Sequence, residues 1–176
     1  MSENKEFLAT EPVGKLLLKL AVPSVISQLV NMLYNIVDRI YIGHIPKTGS
    51  LALTGLGVCM PIIMIISAFA ALIGFGGAPR ASIFMGKGEN DTAEKTLGNC
   101  FTMQIIISII LTIVLLSGNR FFLMAFGASS NTIDYASSYM NIYALGTIFV
   151  QLTLGMNAFV TAQGFSKTGM LTVIIG

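Results

Sequence analysis

Five polar side chains, Ser24, Gln28, Asn31, Asn35 and Asp38, are set in a segment built mostly of Leu, Ile, Val, Met and Ala. A helix turns about 100° per residue, so all five fall within an arc of roughly 80°. A carboxylate with carboxamides beside it can hold a proton or a small cation, because burial favours the neutral acid while a bound cation favours the charged form. Lipid cannot face such a stripe, which must look onto protein or a water-filled cavity. Asp38 lies six residues before His44, or roughly 9 Å along the helix axis from that end. Arg39 is its neighbour in sequence but points about 100° away, an awkward geometry for an ion pair. Amides in membrane helices also serve as interhelical glue. The residues therefore favour a functional Asp38 and leave Gln28, Asn31 and Asn35 open between glue and cavity lining. Pro23 removes a hydrogen bond inside the same segment and bends it. Whether that bend is static or moves is open at this level.

The elements that position this stripe follow from hydropathy. The chain has 176 residues, 54% hydrophobic and only 10% charged. A soluble domain carries about 25% charged residues, so this composition points to membrane. Apolar runs cover about 15–42, 51–79, 97–116 and 135–162, and a fifth begins at 170–176. Spanning a bilayer takes about 20 apolar residues, which the first four supply and the fifth does not. No alternating strands that could close a barrel are present, so the fold class is all-α and polytopic. Residues 1–14 are polar and mixed in charge, unlike a secretory signal. The stretches 45–50, 80–95, 117–134 and 163–169 read as connections. With the N-terminus inside, Lys5, Lys15, Lys19, Arg80, Lys87, Lys95 and Lys167 face the cytoplasm and Arg39, Lys47 and Arg120 the outside. Seven against three satisfies the positive-inside rule.

Other chemistries find little footing. The scattered basic residues and a net charge of +2 form no nucleic-acid surface. GFGGAP (74–79) and GKG (86–88) lack the strand before and helix after that a phosphate-cradling loop requires. A single histidine, His44, supports neither a metal cluster nor a catalytic triad, so no enzyme, cofactor or metal is expected. Cys59 and Cys100 read as small packing residues. Ala70, Gly74 and Ala78 recur every four residues, a ridge that lets another helix approach closely. Asn141, Gln151, Asn157 and Thr161 are dispersed along the fourth segment and read by default as interhelical hydrogen-bond formers.

Four stretches together resemble a known family. LYNIVDRIYIGH (33–44), Pro23 fifteen residues before Asp38, RASIFMGKGENDTAEK (80–95) and NAFVTAQGFSKTGM (157–170) are similar to multidrug and toxic compound extrusion (MATE) transporters, most of all a MepA-like bacterial branch. The resemblance runs over nearly the whole chain. It implies a partial first lobe of a twelve-helix fold and cation-coupled efflux of amphipathic, often cationic drugs across the plasma (inner) membrane. It gives Asp38 the role of binding the coupling H+ or Na+, and Pro23 that of the helix bend. In that family the fifth helix adds an Asn and an Asp to the first-lobe cation site, and residues 170–176 reach only the start of such a helix. The partners implied are lipid, drug and the remaining C-terminal helices. Residues 1–176 alone are expected not to transport. The alternative is a non-transporting remnant or a helical membrane partner. A flippase for lipid-linked anions would want intramembrane cations, which the centres of the second to fourth segments lack.

Overall fold

A computed structural model describes residues 11–175. Residues 1–10, with Lys5 and most of the expected N-terminal segment, lie outside the described residues, as does Gly176. The described chain forms α1 (Val13–Gly43), α2 (Gly49–Gly86), α3 (Asn90–Ala125), α4 (Ile133–Ala162) and α5 (Ser166–Ile175). The first four are long and apolar enough to cross a membrane, and α5 is shorter. Helix is the form that satisfies every backbone polar group within the segment itself, which hydrocarbon demands.

The helices outrun the apolar runs that mark them. The expected connection at 80–95 contracts to 87–89, because α2 continues to Gly86 and α3 begins at Asn90. The expected break at 117–120 is helical, and α3 ends only at Ala125. Hydropathy reports where lipid gives way to water, whereas the helix ends where its backbone bonding ends. At 117–120 the polar side chains find uses within the helical form. Ser117 Oγ donates to Ile113 O at 2.7 Å, Asn119 reaches α4, and Arg120 pairs with Asp134 at 2.9 Å.

The stops of α2, α3 and α4 share one device. After α2, Gly88 takes a φ of +81°, its N–H bonds Met85 O, and Glu89 N–H bonds Phe84 O. This paired closure of the last carbonyls needs the left-handed backbone that glycine adopts without strain. Gly127 and Gly164 close α3 and α4 by the same bond pattern.

Helices α2, α3 and α4 pack into a three-helix bundle. The α2–α3 and α3–α4 pairs are antiparallel and α2 runs parallel to α4, as their cross-helix contacts at both ends require. The ridge at Ala70, Gly74 and Ala78 is buried, and a Cβ placed on Gly74 would sit 2.9 Å from Gly155 O on α4. The sequence ridge is thus the place where two backbones meet. Cys59, Ile62, Ile66, Leu115, Leu123, Met140 and Ala144 fill the core beside it. Leu72, Phe75, Ile142 and Phe149 point outward and are exposed, an apolar surface suited to lipid.

Helix α1 stands apart from that bundle. It packs mainly along α5 and touches α2 far less. Pro23 and Ser27 are its buried residues, and every residue from Asn31 to Tyr41 is exposed.

Candidate functional site

The stripe on α1 is built from its bend outward. Pro23 has no N–H to offer the preceding turn. The hydroxyls around it turn back on the helix: Ser24 Oγ donates to Leu20 O at 3.1 Å and Ser27 Oγ to Pro23 O at 3.0 Å. Of the stripe residues, Ser24 is half-buried, whereas Gln28, Asn31, Asn35 and Asp38 are exposed. Asn35 Nδ2 donates to Asn31 O at 2.8 Å, within the same helix. Asn31, Tyr34, Asn35, Val37, Asp38 and Tyr41 line an open concavity of about 430 Å³. All six come from α1, so among the described residues no other helix closes this groove.

Asp38 and Arg39 part company, as their helical angle requires. Arg39 Nη2 reaches across to Met60 Sδ on α2 at 3.6 Å. Asp38 lines the groove and has no ion pair or hydrogen bond among the described residues. One residue that the sequence reading passed over belongs to this neighbourhood. Tyr139 on α4 is close enough to feel the charges of both Asp38 and Arg39. Its ring stacks on Tyr143, with centroids 6.3 Å apart. The four-residue spacing of those two tyrosines was the available signal, but nothing in it points toward α1.

The polar residues of the bundle behave differently. Gln151 Nε2 donates to Ile66 O at 2.9 Å, and Gln104 Nε2 to Ala70 O at 3.3 Å. Asn119 Nδ2 donates to Ser137 O at 3.0 Å and also to Asn141 Oδ1 at 2.6 Å. Thr112 Oγ1 donates to Ala144 O at 3.1 Å. Asn141 and Gln151 are therefore interhelical hydrogen-bond formers. Asn157 and Thr161 lie where a side chain on Gly169 of α5 would have to go. Gln104, Ser108, Thr112 and Asn119 form a polar face of α3 that the sequence reading also missed, although the 100° rule that exposed the α1 stripe would have found it. Cys59 is buried and Cys100 half-buried, both in packing positions. No group of metal-ligating side chains occurs among the described residues.

Bilayer-length apolar helices around a glued three-helix core, with one polar stripe left uncovered at its side, define a multi-pass membrane protein. Comparison with known proteins gives the class a family. The MatE family model matches residues 23–176, and the chain belongs to this family of multidrug and toxic compound extrusion transporters. The match begins at Pro23 and so contains the whole stripe. The chain is 24% identical over 165 residues to the multidrug export protein MepA of Staphylococcus haemolyticus, covering 92% of this chain and 36% of that protein. It is 22% identical over 178 residues to MepA of Staphylococcus saprophyticus, covering 98% and 39%. For MepA of Staphylococcus aureus strain NCTC 8325 the identity is 22% over 174 residues, covering 98% and 38%. The chain thus spans well under half the length of these curated relatives. No solved structure matches it.

Proposed function

We propose that this chain forms the first-lobe portion of a cation-coupled multidrug efflux antiporter of the plasma membrane, with its N-terminus in the cytoplasm. Asp38 takes up and releases the coupling H+ or Na+. Ser24, Gln28, Asn31 and Asn35 line the polar path beside it, and Pro23 sets the bend that aims the stripe. Small amphipathic or cationic compounds are the substrates, and further C-terminal helices close the groove. The observation that supports this reading is the position of Asp38: a carboxylate within an apolar helix of bilayer length, free of Arg39, on a stripe the bundle does not cover. Carboxylates in such places mark ion or substrate pathways. That relatives are named as multidrug export proteins supports drugs as the substrate class.

The test is Asp38→Asn, made in the native reading frame and expressed in efflux-deficient cells. The amide keeps the shape and removes the titration. Efflux of a cationic dye is expected to fall to background while the protein still reaches the membrane. Wild-type efflux by that variant would make Asp38 structural. For the orientation, a cysteine at position 87 in a background lacking Cys59 and Cys100 should react with impermeant thiol reagents only in opened cells. Labelling from outside intact cells would reverse the topology.

A further inference from the structure

At one end of the bundle α2, α3 and α4 surround a cleft of about 340 Å³. α2 ends there, α3 begins and α4 ends beside them. The space exists because each helix brings a small side chain to the junction: Ala81 from α2, Ala93 from α3 and Ala162 from α4. Phe159, which is buried, and Leu97, which is half-buried, give the cleft apolar walls. Asn90, Glu94 and Gln163 also line it, and of all the lining residues only Glu94 is charged. Glu94 is exposed and has no ion pair or hydrogen bond among the described residues. Its neighbour Lys95 points about 100° away around the helix and is absent from the lining. The apolar runs of the three helices stop at 79, start at 97 and stop at 162, so the cleft opens where they leave hydrocarbon. The proposed orientation puts this end in the cytoplasm.

We infer that this cleft is a binding site for a small amphipathic organic cation arriving from the cytoplasm, with its charged group at Glu94 and its apolar body against Phe159 and Leu97. The inference rests on the proposed export of such compounds, and it gives them a site apart from the stripe, since no residue of α1 lines the cleft. Cavities of roughly 300–1,000 Å³ hold drug-sized molecules, with apolar walls supplying contact and a few polar groups fixing orientation. The sign of the ligand follows from the lining. A carboxylate without a partner at the mouth of a low-dielectric cleft attracts positive charge and repels negative. The N-terminus of α3 would by itself favour an anion. Asp91 already stands in that first turn, and Ala93 N–H is taken by Glu89 O at 3.1 Å.

A photoreactive tetraphenylphosphonium tests the site in the full-length protein, purified in detergent and carrying Asp38→Asn. That background removes the α1 carboxylate as a competing counter-charge. Peptides containing residues 81–97 and 159–163 should be labelled. Tetraphenylphosphonium should protect them, and tetraphenylborate, an anion of the same shape, should not. Glu94→Gln should weaken the protecting affinity about two- to fivefold, the worth of one ion pair at a surface. Ala162→Phe, which fills the cleft, should abolish the labelling. Labelling that survives both substitutions unchanged, or equal protection by the two ions, would overturn the site. Binding is read in a protein expected not to transport, so a failure at the cleft is distinct from a failure of Asp38, which only efflux reports.

Discussion

The α2–α4 bundle and helix α1 carry the same kinds of polar residue and use them in opposite ways. Gln151, Gln104 and Asn119 are buried and reach across to a neighbouring helix. Gln28, Asn31 and Asn35 are exposed, and the hydrogen bonds of Asn35 stay within α1. An amide in a membrane helix is therefore not informative by type. What separates glue from a site is whether a second helix has already taken the side chain. The carboxylates of the bundle helices, Asp91, Glu94 and Asp134, stand near the N-terminal ends of α3 and α4, whereas Asp38 lies well inside α1 on the uncovered stripe, and an ionisable group inside a membrane is costly unless it has a task.

The contrast can be broken first at the bundle's closest approach. Gly74→Leu puts a side chain against the Gly155 backbone, so α2 and α4 must separate. Overpacking of this kind costs about 1–3 kcal/mol, and more where the obstacle is backbone. Loss of well-folded protein from detergent extracts is the expected readout. A normal melting profile would mean that the two helices do not depend on this contact.

A gentler pair of substitutions sharpens the comparison. Asn119→Leu removes bonds to Ser137 and Asn141 on α4 and should destabilise by about 1–2 kcal/mol. Asn35→Leu removes only bonds to its own helix and should change stability by less than about 0.5 kcal/mol. Efflux should respond in the reverse order, with Asn35→Leu the more damaging of the two once expression is equalised. Thermal melts and dye efflux on both variants check this. Equal stability losses would erase the distinction between glue and stripe.

Much of the fold was legible in the sequence, and the reason is the solvent. Hydrocarbon tolerates only closed hydrogen bonding, so an apolar run of sufficient length can hardly be anything but a helix. The stripe on α1 was legible because the 100° rule gathers residues 24–38 onto one side. Helix ends were not legible. Residues 80–86 and 90–95 are polar enough to leave lipid yet remain helical until the glycine at 88 turns the chain. The pairing of Arg39 with Met60 was hidden, because it depends on which helix lies beside α1. The nearness of Tyr139 to Asp38 was hidden for the same reason: periodicity describes one helix at a time.

The direct test of the contrast is water access. Single cysteines at positions 35 and 151, in an otherwise cysteine-free full chain, would be exposed to a water-soluble thiol reagent in native membranes. Position 35, on the open groove of α1, should react readily, and position 151, fully buried and bonded to α2, should stay unreacted. Protection of position 35 together with reaction at 151 would contradict the assignment of α1 as the polar path and of the bundle as its support.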